Sequence, residues 1–258
     1  MTTRDYLASL FSLEGRTAVV TGGSSGIGRA IAEALAQAGA HTVLVARGAD
    51  RLAEVAAGLR ERGCAVEPVV ADLSTRDGIH AAADGIAAAG EPDIIVNSAG
   101  INRRPHLGQV DQATWDVTMT VNLEAPFLLG QRFAPGMAER GFGRLIHISS
   151  QQAHRSFVDS GVYGVSKGGL ESLARSQSEA WSSRGVTANT LVPGFVLTPL
   201  NQRLQDDAEK VEALAARTTV GRNGVPEDFA GAAVFLASAS SAYVTGHSLF
   251  IDGGFSVH

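Results

Sequence analysis

The chain has 258 residues, of which 45% are hydrophobic and 30 are glycine, and its formal net charge is -5. This acidic balance, without any basic block, argues against nucleic acid as the main partner. The apolar runs are too short and interrupted to cross a membrane, and residues 1–15 lack the apolar stretch of a secretory signal, so we expect a cytoplasmic protein. Cys64 is the only cysteine, which excludes an internal disulfide and a thiolate zinc cluster.

An apolar run, a glycine-rich turn and an amphipathic stretch follow one another near the start of the chain. Residues 16–21 predict a β-strand and residues 29–36 a helix, and Gly22, Gly26 and Gly28 between them have the spacing GxxxGxG. Glycine permits a tight turn and lets the backbone approach a pyrophosphate, which then lies at the positive end of the helix. An ordinary strand-to-helix turn is the alternative, but the strand–turn–helix context favours a dinucleotide site.

Predicted strands and helices alternate along the rest of the chain. The strands are residues 41–46, 65–70, 93–96, 144–148, 186–192 and 248–251. The helices are residues 50–62, 75–89, 115–140 and 226–238, with one more that contains Tyr163 and ends near residue 184. This alternation predicts a doubly wound parallel sheet with helices on both faces, a Rossmann-like α/β fold. Because no repeat or linker divides the chain, we expect residues 1–258 to form a single domain.

Residues suited to ligand binding follow six of the predicted strands. They are Gly22, Arg47, Asp72, Asn97, Ser150 and Pro193. In a parallel α/β sheet, ligands bind beyond the carboxyl ends of the strands. Packing alone does not explain six such residues at one edge, so the sequence predicts a ligand crevice there.

Tyr163 and Lys167 are four residues apart, and Ser150 lies thirteen residues before the tyrosine. Side chains at i and i+4 share a face of a helix, so the ammonium can act on the phenol. An unperturbed phenol has a pKa of about 10, and lowering it by about 3 requires about 4 kcal/mol, much of which a nearby cation can supply. Such a phenol exchanges protons with an alcohol or a ketone. The alternative is a half-buried tyrosine beside a solvated lysine.

The chain resembles the short-chain dehydrogenase/reductase family from Leu13 to its C-terminus. The resemblance is carried by Thr21-Gly22-xxx-Gly26-x-Gly28, Asp72, Asn97-Ser98-Ala99-Gly100, Asn122, Ser150, Tyr163, Lys167, Pro193-Gly194 and Thr198. It implies a reversible hydride transfer between a nicotinamide and a carbonyl or hydroxyl carbon. One departure is Ser98, where the family commonly has a second asparagine.

The resemblance implies roles for four residues. Tyr163 is the implied general acid in reduction and base in oxidation, and Lys167 is implied to lower its pKa and to hold the nicotinamide ribose. Ser150 is implied to hydrogen-bond the reacting oxygen, and Asn122 to anchor a water that relays protons from solvent. Ser149 competes for the serine role, but the thirteen-residue spacing favours Ser150, and Ser149 should point to the opposite face of the strand.

For cofactor binding the resemblance implies a larger set of residues. They are Gly22, Ser24, Ser25, Gly26, Ile27, Gly28, Arg47, Asp72, Leu73, Asn97, Ala99, Gly100, Tyr163, Lys167, Pro193, Gly194, Val196 and Thr198. NAD enzymes of this architecture have an acid after the second strand, which binds the adenosine ribose. Here Ala46 and Arg47 stand in its place, so a 2′-phosphate meets no repulsion and finds a cation. We therefore expect NADP(H) as the preferred cofactor and NAD(H) as the alternative; Arg47 as a solvated surface residue is the simpler interpretation.

The expected substrate site contains Arg103, Arg104 and His154. The two arginines follow the fourth predicted strand and would pair with an anionic hydroxy acid or keto acid. Together with residues 11–15, residues 101–106 resemble the gluconate 5-dehydrogenase and 2-deoxygluconate 3-dehydrogenase branch of the family. The alternative is an exposed basic loop, and His154 is equally consistent with a loop position outside the pocket.

Three functions are kept apart at this point. The first is an oxidoreductase for a sugar acid such as gluconate or 5-ketogluconate. The second is a 3-oxoacyl-[acyl-carrier-protein] reductase, which has the same motifs and whose acidic carrier also suits Arg103 and Arg104. The third is a non-catalytic nucleotide-binding regulator, which the presence of all four catalytic residues disfavours. The polar residues 201–219 are a candidate lid over the substrate, with a surface helix that does not move as the alternative.

The expected partners are a small-molecule substrate and further copies of the chain. Residues 243–255 resemble relatives that assemble as homotetramers, and residues 115–140 are another interface candidate unless their apolar positions face the core. No metal site is expected, because none of the seven histidines forms an HxxxH or HExxH motif.

Overall fold

In a computed structural model that describes residues 3–257, seven parallel strands form one sheet. The strands are β1 (Thr17–Thr21), β2 (His41–Ala46), β3 (Val66–Val70), β4 (Ile94–Asn97), β5 (Gly143–Ile148), β6 (Val186–Pro193) and β7 (Ser248–Ile251). Their order across the sheet is β3-β2-β1-β4-β5-β6-β7, and every neighbouring pair is parallel. The predicted doubly wound, Rossmann-like fold is confirmed.

Helices connect the strands and cover both faces of the sheet. They are α1 (Thr3–Phe11), α2 (Gly26–Gln37), α3 (Ala49–Glu61), α4 (Arg76–Ala89), α5 (Gln112–Met119), α6 (Ala125–Glu139), α7 (Gly161–Trp181), α8 (Gln202–Gln205), α9 (Ala208–Ala216) and α10 (Ala230–Ala237). Of these, α1 is absent from the predicted elements, and α8 and α9 lie in the polar segment 201–219, for which a helix is only the alternative prediction. Within residues 3–257, no helix combines the length and the apolar character needed to cross a membrane.

The core consists of two apolar layers, one on each side of the sheet. Consecutive strand residues point to opposite faces, so Val20 of β1 packs in the layer with Leu35 of α2, whereas Val19 packs in the layer with Phe133 of α6. Helices α2, α3 and α10 cover the first face, and α4 and α6 cover the second. Burial on both sides explains why the strands have continuous apolar sequences without alternation.

The strand order reverses direction between β1 and β4. The chain runs from β1 outward through β2 to β3, and then β4 pairs with the other side of β1. Connections that leave neighbouring strands in opposite directions open a crevice at the carboxyl edge. Thr21 pairs with Asn97 across this point, and its hydroxyl accepts hydrogen bonds from the backbone N–H groups of Ser98 and Ala99, each at 3.1 Å. The turns after β1 and β4 are thereby joined.

The helix predicted over residues 115–140 is interrupted. Between α5 and α6 lies a π-helical turn, Thr120–Glu124, which contains Asn122. A π-turn inserts an extra residue into the helix and redirects the side chains around it. The predicted helical stretch is therefore present, with a π-helical turn at the position of a predicted catalytic residue.

Candidate active site

The glycine turn after β1 is built so that only glycine fits at two of its positions. Gly22 has a φ of +70°, and a Cβ added there would lie 2.9 Å from the Cα of Ala99. A Cβ on Gly28 would lie 2.4 Å from the carbonyl oxygen of Gly22. Both distances are shorter than any real Cβ contact, so side chains are excluded from this cradle. The turn therefore presents bare backbone at the sheet's carboxyl edge.

The residues around this cradle fit a dinucleotide phosphate. Helix α2 begins at Gly26 and has no acid in its first turn, and the Ser25 side chain makes no capping hydrogen bond to it. The positive end of the helix is therefore left for an external anion. Arg47, exposed after β2, lines the same cavity. The chemistry of the cradle matches the predicted pyrophosphate site.

Tyr163 and Lys167 lie on the first turns of α7 and are both buried. The Lys167 ammonium donates a 2.7 Å hydrogen bond to the carbonyl oxygen of Ile148, at the end of β5. It also lies 5.6 Å from the centroid of the Tyr163 ring. The predicted pairing of the two side chains on one helical face is therefore present.

The protonation of both groups is governed by burial. Burial raises the pKa of Tyr163 to about 12, although the Ser150 hydroxyl and the nearby Arg104 guanidinium, which stabilise the phenolate, act to lower it. Burial also lowers the pKa of Lys167 to about 8. The expectation of a lowered tyrosine pKa is wrong for this structure, because desolvation of the phenolate outweighs the stabilising groups. At neutral pH the phenol is a protonated, neutral donor.

Asn122 is held next to the tyrosine–lysine pair by three hydrogen bonds. Its side-chain oxygen accepts from the backbone N–H of Ile101 at 2.9 Å, and its amide donates to the Ile101 carbonyl at 3.0 Å and to Ser166 Oγ at 3.0 Å. Ser166 in turn donates to the Tyr163 carbonyl at 2.8 Å. A Cβ on Gly100 would lie 3.5 Å from Asn122 Oδ1 and 3.7 Å from Lys167 Nζ. The π-helical turn therefore brings Asn122 to the site.

Ser150, rather than Ser149, is the serine whose hydroxyl acts on the pKa of Tyr163 and lowers it. Ser149 Oγ instead donates to Glu171 Oε1 at 2.6 Å, away from the phenol. The predicted division of roles between the two serines agrees with this geometry, since neighbouring residues at the end of a strand point to opposite sides.

Ser150, Tyr163 and Lys167 line one cavity of about 990 Å³ at the carboxyl edge of the sheet, whereas Asn122 lies behind its wall and does not line it. Most of the predicted cofactor residues line it, namely Gly22, Ser25, Gly26, Ile27, Gly28, Arg47, Ala99, Gly100, Tyr163, Lys167, Pro193, Gly194, Val196 and Thr198. Four predicted residues do not line it: Ser24, Asp72, Leu73 and Asn97. Leu73 is buried in an apolar layer, the Asp72 carboxylate accepts from the backbone N–H of Ser74, and the Asn97 amide lies 3.1 Å from His147 Nδ1.

Of the predicted substrate residues, the two arginines line the cavity and His154 does not. The Arg104 guanidinium donates to the carbonyl oxygen of Val158 at 2.7 Å, and next to it Asp159 has a φ of 56°, a strained value outside glycine. The His154 ring is drawn away by Glu171, whose carboxylate is 2.9 Å from Nε2. The prediction of His154 as a pocket residue is therefore not supported by its position.

Three further cations line the cavity and are missing from the predicted set. Arg203 belongs to α8, Lys210 to α9, and Arg217 follows α9. The Arg217 guanidinium lies 4.3 Å from the centroid of the Phe255 ring. The signal in the sequence is their regular spacing of seven residues within the polar segment 201–219. Among the described residues that line the cavity, Asp159 is the only carboxylate, so the cavity is electropositive.

Comparisons with known proteins agree with this geometry. The sequence model of the family described as enoyl-(acyl carrier protein) reductase matches residues 22–256. The chain is also similar to a gluconate 5-dehydrogenase of Gluconobacter oxydans, with 38% identity over 252 residues that cover 96% of this chain and 97% of that protein.

Two solved structures share the whole fold. A gluconate 5-dehydrogenase from Burkholderia cenocepacia, in complex with NADP and tartrate, is 38% identical with a TM-score of 0.92, covering 98% of this chain and 99% of that one. A 3-oxoacyl (acyl-carrier-protein) reductase from Agrobacterium tumefaciens, with NADP bound, is 32% identical with a TM-score of 0.93, covering 98% and 100% of the two chains. The chain therefore belongs to the short-chain dehydrogenase/reductase family, whose members are NAD(P)-dependent oxidoreductases acting on CH–OH groups.

Proposed function

We propose that this protein is an NADP(H)-dependent oxidoreductase that interconverts a ketone and a secondary alcohol of a sugar acid, such as 5-ketogluconate and gluconate. The observation that carries the proposal is the position of Arg104 relative to Tyr163. Both line the same cavity, and the guanidinium is near enough to act on the pKa of the phenol. A proton donor beside a cation suits a substrate that carries a ketone and a carboxylate in one molecule.

The cofactor is proposed to lie over the glycine cradle and across the crevice between β1 and β4. Gly22 and Gly28 would let the backbone reach the pyrophosphate, and Arg47 would pair with the 2′-phosphate of NADP. The Burkholderia and Agrobacterium relatives, both solved with NADP, support this choice. When bound, the nicotinamide supplies the hydride to the carbonyl carbon or takes it from the alcohol carbon.

Tyr163 is proposed to move the proton that accompanies this transfer. Because burial holds its pKa far above neutrality, the hydroxyl is protonated at physiological pH and can donate to the ketone oxygen. Ser150, whose hydroxyl is close enough to lower the pKa of Tyr163, would hold the same oxygen of the substrate. In the reverse direction the phenolate must take the alcohol proton, so oxidation is expected to be faster at alkaline pH.

Lys167 and Asn122 are proposed to support proton transfer by Tyr163 without contacting the reacting oxygen of the substrate. Lys167 would hold the nicotinamide ribose and stabilise the phenolate, and Asn122 would keep a water within reach of the ammonium for proton relay. The support is that Asn122 Oδ1 and Lys167 Nζ approach one point, the position that a Cβ on Gly100 would occupy.

Substrate recognition is proposed to depend on the cations around the phenol. Arg104 is anchored to the carbonyl of Val158, and its pKa is lowered by burial and by the positive charge of Arg203. The repulsion between two guanidinium groups is reduced when an anion binds between them. Because Arg203 belongs to segment 201–219, a bound carboxylate would draw this segment over the substrate, as expected of a lid. The tartrate of the Burkholderia relative is itself a hydroxy-acid anion.

The second candidate is 3-oxoacyl reduction on an acyl carrier protein. The Agrobacterium relative, similar over the whole chain, favours it. A carrier protein would have to meet cations on the outer surface, whereas Arg104 is half-buried inside the cavity beside the proton donor. The sugar acid is therefore the better match. The non-catalytic regulator is not retained, since the chain belongs to a family of enzymes.

The deciding experiment compares two substrates with the purified protein. Oxidation of NADPH is followed by absorbance with 5-ketogluconate and, separately, with an acetoacetyl thioester. We expect a higher kcat/KM for the sugar acid, and for gluconate over a neutral polyol in the oxidative direction. A higher kcat/KM for the thioester would replace the first proposal with the second.

Assembly, domain boundaries and location are also proposals. We propose a homotetramer, supported by the exposed apolar side chains of Trp115, Phe127 and Val165 on α5, α6 and α7. Residues 1–258 are proposed to act as a single domain, and the cytoplasm as its compartment. Sedimentation equilibrium measures the assembly, and a monomer at micromolar concentration would contradict it.

A further inference from the structure

A buried carboxylate lies one helical turn beyond Lys167 and has no place in the chemistry proposed above. Glu171 belongs to α7, the helix that carries Tyr163, and is 4% exposed. A buried carboxylate is costly unless its charge is paired and its oxygens accept hydrogen bonds. The hydrogen-bond partners of Glu171 therefore indicate which part of the structure it holds in place.

Glu171 binds three side chains from three different segments. Oε1 accepts from Ser149 Oγ at 2.6 Å, and Oε2 accepts from Ser248 Oγ of β7 at 3.0 Å. The His154 Nε2 lies 2.9 Å from Oε2 and 3.0 Å from Oε1. The His154 ring also packs on Phe250 of β7, with 4.9 Å between ring centroids.

Two of these partners flank Ser150 in the sequence. Ser149 precedes it directly, and His154 closes the short turn, Gln151–Ala153, that follows it. Inside the turn the Ser150 hydroxyl accepts from the backbone N–H of Gln152 at 3.2 Å, and Ser150 lines the same cavity as Tyr163, whose pKa it lowers. One carboxylate on the helix of Tyr163 therefore fastens both ends of the loop that carries Ser150.

We propose that Glu171 is a positioning residue, which holds Ser150 against Tyr163 by anchoring Ser149 and His154 on either side of it. The inference rests on the roles proposed above for Ser150 and Tyr163. Helix α7 provides a common rigid frame, since it fixes Tyr163 and Glu171 two turns apart. A loop fastened to this frame keeps the serine-to-phenol geometry that the transfer of the proton requires.

The first test replaces Glu171 by glutamine, which keeps the size of the side chain and removes its charge. We expect kcat to fall by up to about 100-fold, the loss typical of a reacting group that is misplaced by about 1 Å. The Kd for NADPH should not change. Ser149→Ala removes only the 2.6 Å contact and leaves two partners on the carboxylate. It should show the same pattern to a smaller degree, even if the glutamine variant folds poorly.

The pH profile gives a readout that loss of fold stability does not produce. Ser150 and Arg104 both lower the pKa of Tyr163 against the effect of burial, and the Lys167 ammonium lies 5.6 Å from the centroid of its ring. If Ser150 moves away while Arg104 stays, the pKa of Tyr163 rises. The part of the pH–rate profile for oxidation that follows ionisation of Tyr163 then shifts to higher pH. An unchanged profile in Glu171→Gln would overturn the inference.

A double-mutant cycle separates this inference from the function on which it depends. Glu171→Gln is made alone and in a Ser150→Ala background, with Glu179→Gln, an exposed position on the same helix, as the matched control. We expect Glu171→Gln to cost little once Ser150 is gone, and Glu179→Gln to change nothing. If the losses of kcat in the two single variants multiply in the double variant, the inference about Glu171 is overturned while the proposed function stands. An unaffected Ser150→Ala variant would overturn the proposed function and the inference together.

Discussion

Replacing Gly28 by alanine tests whether the turn after β1 binds the cofactor. The new Cβ would lie 2.4 Å from the Gly22 carbonyl oxygen and 3.0 Å from Ser98 Oγ, where ordinary contact begins at 3.4 Å. The carbonyl must therefore retreat by about 1 Å. Gly22 has little room to move, because the Ala99 backbone packs against it. A Cβ built on Gly22 would lie only 2.9 Å from the Ala99 Cα. The strain has to move the cradle itself.

A displacement of this size changes cofactor binding more than folding. Misplacing a binding backbone by about 1 Å costs up to about 100-fold, or about 3 kcal/mol of binding free energy. Overpacking a tight site lowers the free energy of unfolding by about 1–3 kcal/mol, which leaves an ordinary domain folded. We therefore expect Gly28→Ala to fold and to bind NADPH weakly.

The assay is a fluorescence titration of NADPH, which does not depend on knowing the substrate. Gly58→Ala in α3 is the matched control, since a Cβ there meets nothing within 4 Å. It should leave the Kd unchanged and stabilise the helix by about 0.5–1 kcal/mol. An unchanged Kd for NADPH in folded Gly28→Ala would refute the cradle as the cofactor site.

Three further predictions concern charged side chains of the cavity. Arg47→Asp should lower kcat/KM for NADPH relative to NADH by roughly 10- to 100-fold, the loss of one charge-assisted hydrogen bond, in steady-state assays with both cofactors. Arg104→Gln should lower kcat/KM for 5-ketogluconate by a similar factor, about 10- to 100-fold. The kcat/KM for a neutral ketone should fall much less, because Arg104 acts on that reaction only through the pKa of Tyr163. Burial lowers the pKa of Lys167 from 10.5 to about 8. Between these values the folded protein binds fewer protons than the unfolded chain, so this group's contribution to stability rises with pH. Lys167→Met should therefore be inactive yet more stable than the wild type below pH 8, by on the order of 3 kcal/mol, with the difference shrinking as the pH rises in denaturant titrations.

Each of these predictions has a control and a result that contradicts it. Arg51→Asp, on the exposed side of α3 and outside the cavity, is the control and should not change cofactor preference. If Arg47→Asp keeps the cofactor preference of the wild type, Arg47 is a surface residue without a role in cofactor binding. Arg175→Gln, exposed on α7, is the control for Arg104, and equal losses for anionic and neutral ketones would remove Arg104 from carboxylate recognition. A Lys167→Met variant less stable than the wild type at pH 7 would show that the buried ammonium stabilises the fold.

The parts of the site that the sequence predicts are the local ones. The glycine spacing after β1 and the Tyr163–Lys167 pair depend on a single turn of backbone, so their residues can be recognised without tertiary structure. The strand ends are predicted because apolar runs stop where the chain reaches the carboxyl edge. The glycines, the tyrosine–lysine pair and four of the six strand-end residues line the cavity, whereas Asp72 and Asn97 do not.

What the sequence did not predict depends on contacts between distant segments. The direction of the His154 ring is decided by Glu171, seventeen residues further along the chain, and the tyrosine pKa by burial under the whole fold. The cations of segment 201–219 reach the cavity only because α8 and α9 fold back over it. The π-helical turn around Asn122 has no recognisable signal in a stretch that otherwise has helical periodicity.

The central claim is that the Tyr163 hydroxyl donates the proton when a ketone is reduced with NADPH. The most direct measurement is the single-turnover rate of NADPH oxidation in Tyr163→Phe, with 5-ketogluconate or the acetoacetyl thioester, whichever the wild type reduces faster, and with the Kd for NADPH determined in parallel. We expect the rate to fall by about 10²- to 10⁴-fold, the usual contribution of a positioned proton donor, while NADPH still binds. A variant that binds NADPH and reduces the ketone at the wild-type rate would contradict the account.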